Sequence, residues 1–476
     1  MSETVSLPDA RPSFADRLPS SVSWRTLVKI EVVLLGVFPP QLIIGPLGGF
    51  GAPARMFELL LLGAWVLCLV LPGQHGLRPC IPVRIVLVML WVAVLLSAFV
   101  MYFHWMPFDE LAGTNRFLVT LAGITGLTLV VAEGLKTRDD VIDVGRIAVF
   151  AIAYMALVGV LQGQTPIDIA ELMKKIPVFV TNMEIQTSGT RGMFTRPAGT
   201  ALHPIEFGVV VATFLGLAIW LAIYDKRTPR NWRWAALFIV AFAVPISISR
   251  SALLVTVVIL LFFMTGTTRD LRLKGLAAVG AMLGFVFVAV PGLVGTLRGF
   301  IMLGEKDSSV SSRTSDYATV APFLRESPWV GRGPGTFFPP KFETLDNQYL
   351  GTLVEMGIIG LVALLVFLIA PAVLARGARR RTTDDGDRLF GQMLAAGSIG
   401  MAVAAVTFDA LAFPTFARMA GFMLGLSGAW WMVARESVGE MLPDGRPVTA
   451  STAPAPGIAS GAATPASGRP KVLTST

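Results

Sequence analysis

Apolar runs about twenty residues long dominate the chain, and that length limits what it can fold into. A hydrocarbon core about 30 Å thick is crossed by about 20 helical residues. Inside it every backbone N–H and C=O must find its partner within the segment or its neighbours. Twelve such runs can be read along the 476 residues. They lie at about 27–46, 54–71, 81–103, 113–133, 141–163, 203–224, 232–248, 250–266, 274–293, 348–373, 388–410 and 414–434. Pro39-Pro40 interrupts the first, which is expected to be broken or partly re-entrant. The seventh ends at Ser247-Ile248-Ser249-Arg250-Ser251, with little loop before the eighth. The expected fold class is an all-α polytopic integral membrane protein, with about 12 transmembrane helices and a long extracytoplasmic loop between helices 9 and 10. Charged residues are 15% of the chain, against about 25% in soluble domains.

The formal charge of +8 is explained by where the charges sit, not by a nucleic-acid partner. Short loops after even-numbered spans, together with both termini, hold 25 of the 39 Lys and Arg residues. By the positive-inside rule that side, with both termini, is cytoplasmic. Residues 1–25 read as a disordered cytoplasmic N-terminus, 26–435 as the membrane domain and 436–476 as a disordered cytoplasmic tail rich in Ala, Pro, Ser, Gly and Thr. No secretory signal peptide is read at the start of the chain. The other basic residues, Arg55, Arg116, Arg196, Arg250, Arg313, Arg325, Arg332 and Arg418 among them, have no topological use. The two long loops, about 164–202 and 294–347, fall on that same side. The functional face is therefore expected to be extracytoplasmic.

Several residues on that face are candidates for chemistry. Arg250 lies between two apolar runs, where an arginine costs roughly 2.5–3.5 kcal/mol on insertion scales. Its planar donor fork suits phosphate oxygens, although an arginine at a helix end can also snorkel to the surface. Arg313 sits in a Ser/Asp-rich loop, and Arg325 follows on a short helix; either could be a solvated surface cation. Arg196 and His203 lead into the sixth span and could face the same cavity as Arg250. Asp346, at the mouth of the tenth span, could be a general base or a helix cap. Glu355 lies eight residues into that span and requires a partner, for which an arginine at the outer end is expected. Gly331-Arg332-Gly333-Pro334-Gly335 reads as a tight turn that could add N–H groups to an anion site. Cys68 and Cys80 read as structural, and three scattered histidines do not suggest zinc. No metal or cofactor is expected. Several arginines with one or two acids at a membrane surface suit a lipid-linked diphosphate, whose leaving group the arginines would stabilise.

At these residues the chain resembles the O-antigen ligase and polymerase superfamily of Wzy-like membrane glycosyltransferases. The features that carry the resemblance run in order. They are the serine-arginine turn ending in Arg250, the loop arginine Arg313, and the stretch from Pro328 through Gly331, Gly333 and Gly335 to Phe337. Asp346-Asn347-Gln348-Tyr349-Leu350 and Glu355-Met356-Gly357-Ile358-Ile359-Gly360-Leu361 follow. The specific part covers about 195–365. Ligases of the family carry histidine where this chain has Asp346. An aspartate, with an ordinary pKa of about 3.9, is a weaker base unless desolvated.

The resemblance implies a bacterial inner-membrane enzyme whose donor is a glycan on undecaprenyl diphosphate. Arg250 and Arg313 would bind the diphosphate, with Arg196 or Arg325 assisting. Asp346 would activate a sugar hydroxyl that Asn347 and Tyr349 orient, and Glu355 is counted with them among the expected substrate-binding residues. A polysaccharide polymerase is favoured over a ligase to another acceptor. A lipid-linked glycan transporter would share the span count, but would show inverted-repeat halves or helices broken at midplane. Membrane lipid and other polysaccharide-assembly proteins are the remaining expected partners.

Overall fold

The computed structural model describes residues 23–70, 77–103, 106–181, 188–191, 194–290, 317, 319–339, 341–342 and 344–439. Arg313, with all of 294–316, and nearly all of the two termini lie outside the described residues. Helices fall on each of the twelve expected segments. They are α1 (Trp24–Val37), α2 (Pro53–Val70), α3 (Ile81–Tyr102), α4 (Phe108–Gly134), α5 (Arg138–Gln164), α7 (Pro204–Tyr224), α8 (Arg230–Ile246), α9 (Arg250–Gly266), α10 (Arg269–Ala289), α11 (Gln348–Arg381), α12 (Asp385–Ala404) and α13 (Pro414–Ser437). Among the described residues seven of these, α2, α3, α4, α5, α7, α10 and α11, are long and apolar enough by themselves to cross a membrane.

α1 has only 14 residues. Proline lacks an N–H and pushes the residue before it out of the helical region. Phe38, just ahead of Pro39-Pro40, is accordingly extended at φ −94°, ψ 123°. The chain continues as a short strand, β1 (Leu42–Ile44), antiparallel to β2 (Phe179–Thr181), with Leu42 opposite Thr181. A short helix, α6 (Ile169–Met173), precedes β2, and β3 (Ser188–Arg191) pairs with β4 (Phe194–Pro197) with Gly189 opposite Arg196. The all-α expectation is thus modified by two small ribbons, both in or reaching into the 164–202 loop.

α7 is the most enclosed of the long helices, with 83% of its apolar window buried, and α5, α8, α9 and α12 pack around it. α13 lies against α4 and α11. Small residues let these backbones approach, as is usual where lipid supplies no hydrophobic drive between helices. A Cβ on Gly421 would come within 2.8 Å of the Thr128 hydroxyl, and one on Gly425 within 2.7 Å of the Thr128 carbonyl. α10 is different. Only 6% of its window is buried, and it leans on α8 through Phe285 against Phe238 and Phe242.

One turn into α13, Arg418 is 2% exposed and its Nε donates to Glu58 Oε2 at 3.0 Å. Glu31 of α1 is fully buried and close enough to feel both charges. Removing one member of a buried pair costs about 3–5 kcal/mol, because the other is left uncompensated. Arg418→Met is therefore expected to lower the thermal unfolding midpoint in detergent sharply, and adding Glu58→Gln should restore much of the loss. A single variant as stable as the parent would show that this pair does not hold the helices together.

Candidate functional site at the mouth of helix α11

The site is built where α11 begins. Asn347 is the cap, and its side-chain oxygen accepts from Tyr349 N–H at 3.0 Å and Leu350 N–H at 3.4 Å. The capping role that sequence left open for Asp346 is thus filled by its neighbour. Asp346 stands half-buried just outside the helix.

Gln348 then fixes what faces Asp346. Its N–H donates to the carbonyls of Ala405 (2.9 Å) and Phe408 (3.1 Å). Its side-chain oxygen accepts from Leu411 N–H at 2.6 Å, and the Tyr349 hydroxyl donates to the Ala402 carbonyl at 2.7 Å. These bonds clamp the α12–α13 connection onto the first turn of α11 and bring Asp409 within reach of the Asp346 charge. Burial, followed by the nearby Asp346 charge, pushes the Asp409 carboxyl up to about 6. Sequence reasoning missed Asp409 because Thr407-Phe408-Asp409-Ala410-Leu411 reads as the end of an apolar run. Its one visible signal was an acid at a span end.

The same connection holds the Arg250 turn. Ser251 and Thr407 share a hydroxyl hydrogen bond of 2.7 Å, so the residue after Arg250 is tied to the loop that carries Asp409. Arg250 is the first residue of α9, capped by Ser249. Between α8 and α9 only residues 247–249 reverse the chain. Ile248 there has φ 47°, in a region that costs a β-branched residue of order 1–3 kcal/mol.

His203 caps α7 by accepting the Ile205 N–H at Nδ1, 3.1 Å, and its ring lies 5.7 Å from that of Phe413. Burial and the neighbouring Arg196 charge push the His203 imidazole down to about 4. It is therefore neutral at neutral pH and serves as a cap, while Arg196, on β4, is brought toward the same α12–α13 connection. Glu206, also missed from sequence, accepts from Thr415 N–H (2.6 Å), Phe416 N–H (3.0 Å) and Leu202 N–H (2.7 Å). It joins the start of α7 to the start of α13.

Among the described residues Glu355 makes no ion pair with an arginine, although the Arg332 charge reaches it. Its Oε1 accepts from Phe337 N–H at 3.1 Å. Arg332, the nearest candidate, donates to Glu110 Oε2 of α4 at 2.7 Å and lies 4.7 Å over the Phe342 ring. Lys341 also binds Glu110. The amides of the glycine-rich turn are likewise committed, so the turn is no anion cradle. α11 is broken at Gly357 (φ 61°, ψ −162°), and residues 328–333 run alongside the break. Ile358 and Ile359 N–H groups donate to the Pro328 (2.9 Å) and Trp329 (3.2 Å) carbonyls. The Val354 and Glu355 carbonyls accept from Arg332 (3.1 Å) and Gly333 (2.9 Å). Two lost helical bonds are thus replaced by four to the loop, which satisfies the backbone at membrane depth.

Of the residues named from sequence, Asn347 and Tyr349 make these bonds, Asp346 and Arg250 are chain neighbours of residues that make them, and the Arg196 charge acts on His203. Arg325 is exposed at the end of a short helix over 319–326. Among the described residues, no hydrogen bond or ion pair links it to the α11 mouth.

Residues 235–365 match the family model of the O-antigen ligase domain. Over that segment the chain is similar to the O-antigen ligase family. The segment runs from α8 to just past the break in α11 and so contains the Arg250 turn and Asp346. With the apolar helices, the match supports a membrane protein of the ligase and polymerase kind, an enzyme of glycan assembly. No curated protein matches the chain.

Proposed function

We propose that the protein is a glycan polymerase, moving a glycan from undecaprenyl diphosphate to a sugar hydroxyl at the extracytoplasmic face. The observation that carries this reading is that Asp409 lies within reach of the Asp346 charge beside the Arg250 turn, while Asn347, not Asp346, caps α11. In the proposed step the acceptor oxygen attacks the anomeric carbon from the face opposite the diphosphate. The bond to the diphosphate oxygen breaks, and the acceptor proton goes to Asp346. Arg250, with Arg313 and Arg196, holds the departing diphosphate charge. Asn347 keeps its side-chain N–H groups for a ligand, since only its oxygen caps the helix, and the Tyr349 oxygen can still accept. The break in α11 is filled by the chain's own loop and does not open a midplane site, which favours an enzyme over a transporter.

The deciding experiment is Asp346→Ala in the native host, with surface polysaccharide length and lipid-linked glycans profiled together. Accumulation of single repeat units on the lipid with loss of long polymer supports a polymerase. Full-length polymer retained on the lipid makes the protein a ligase instead. Unchanged pools at normal protein levels overturn the mechanism.

A second expectation concerns pH. Asp409 titrates at about 6, so it is neutral below that pH and charged above it. Above that pH the Asp409 carboxylate adds a negative charge beside the site, which favours the arrival of the acceptor proton there. The transfer rate is therefore expected to rise with pH through about 6, and Asp409→Asn should flatten that limb. Identical pH–rate profiles for parent and variant would remove Asp409 from the mechanism.

A further inference from the structure

At the end of the bundle opposite the α11 mouth, the charges divide into two unlike halves. On one side the arginines are matched to acids. Arg84 binds Glu133 (2.6 Å), Arg138 binds Asp387 (Nε to Oδ2, 2.8 Å), Arg146 binds Asp225 (2.9 Å) and Arg227 binds Asp139 (2.7 Å). On the other side the end of α9, the last turns of α11 and the first turn of α12 bring Arg376, Arg379 and Arg388 together. The charges that act on Arg379 are those of Arg388 and Arg376, both of its own sign.

Among the described residues none of these three arginines has an ion pair with a carboxylate. Arg379 Nη2 reaches the Gly266 carbonyl at 3.4 Å, while its Nε is buried without an acceptor. Arg388 Nη1 reaches the Thr382 carbonyl at 3.3 Å, and Arg376 lies 5.9 Å over the Phe262 ring. Orientation in the membrane requires positive charge at an end of the bundle; it does not require guanidinium groups to converge. Convergence of like charges is repulsive until an anion sits among them.

Guanidinium forks match phosphate oxygens in geometry as well as charge. At this depth the phosphate at hand is that of the headgroup layer. Leu254, Val257 and Leu261 face outward along one side of α9, giving an apolar track that leads up to the arginines. We propose that Arg376, Arg379 and Arg388 bind the phosphodiester headgroup of an anionic phospholipid, whose acyl chains run along α9. The site lies at the far end of the molecule from the catalytic proposal and does not depend on it.

The test uses the full chain purified in detergent and offered phosphatidylglycerol or phosphatidylcholine at equal mole fraction. Retained lipid is counted by native mass spectrometry, and the unfolding midpoint is followed in parallel. Each arginine near an anionic surface is worth roughly a fivefold factor in binding. Arg379→Gln/Arg388→Gln is therefore expected to lose about 25-fold in phosphatidylglycerol retention, while Arg230→Gln at the same end keeps it. Equal retention of the two lipids by the parent chain, or full retention by the double variant, overturns the proposal. If the double variant does not fold, the parent decides alone. Its preference for phosphatidylglycerol must fall as salt rises, and a salt-indifferent preference overturns the site. Stabilisation by inorganic phosphate equal to that by phosphatidylglycerol overturns the lipid assignment.

Discussion

Asp346→Asn is expected to lower glycan transfer by about 10²–10⁴-fold, the usual contribution of a positioned general base, while leaving the fold intact. The two parts of that expectation have separate sources. The fold is spared because Asn347, not Asp346, accepts the first N–H groups of α11. The rate is lost because an amide cannot take the acceptor proton. Asn347→Ala should show the converse pattern, with a stability loss of about 1 kcal/mol from the missing cap. Asp346→His should recover part of the rate, since an imidazole with an ordinary pKa of about 6.5 is a competent base in the same place. The measurements are transfer from a lipid-linked glycan donor by the reconstituted protein and thermal unfolding of the same preparations. A rate for Asp346→Asn within a few-fold of the parent, at unchanged stability, would mean that Asp346 is not the base.

The helices were legible because their signal is long and repeated. Each apolar run of about twenty residues carries its own evidence, and Pro39-Pro40 marks the end of α1 by chemistry that needs no tertiary context. What sequence could not resolve were choices between neighbours and pairings across distance. Asp346 and Asn347 are both able to cap a helix, and only the backbone path shows which side chain turns inward. Asp409 comes within reach of the Asp346 charge because Gln348 binds the α12–α13 connection, 57 or more residues further along the chain. Arg332 finds Glu110 across 222 positions, so the arginine expected for Glu355 reaches it only as a nearby charge. The arginines of the opposite end were read as orientation signals, and only their convergence in space separates Arg379 from its exposed neighbours.

The glycine-rich turn and the Glu355-Met356-Gly357 stretch read as two separate signals, yet they are the two sides of one contact. Gly331 (φ 65°), Gly333 (φ 127°), Gly335 (φ 71°) and Gly357 (φ 61°) all hold left-handed backbone. A Cβ on Gly331 would lie 2.4 Å from the Glu355 carbonyl, and one on Gly357 2.3 Å from the Trp329 carbonyl carbon. Those are backbone atoms, so neither contact can relax by turning a side chain. Gly331→Ala is expected to cost about 1–2 kcal/mol for the left-handed conformation alone. Displacing the loop puts its four replacement bonds at risk, at about 1 kcal/mol each. With all four bonds lost the total is about 5–6 kcal/mol, and transfer should fall with it, because the loop that moves braces the first turns of α11. Gly351→Ala is the control one turn away. Its Cβ meets nothing within 4 Å, so alanine in that helix should stabilise by about 0.5–1 kcal/mol. Unfolding midpoints of the two variants should therefore move in opposite directions. If Gly331→Ala unfolds where the parent does, the loop does not replace the broken helical bonds, and the mouth of α11 must be held by the α12–α13 connection alone.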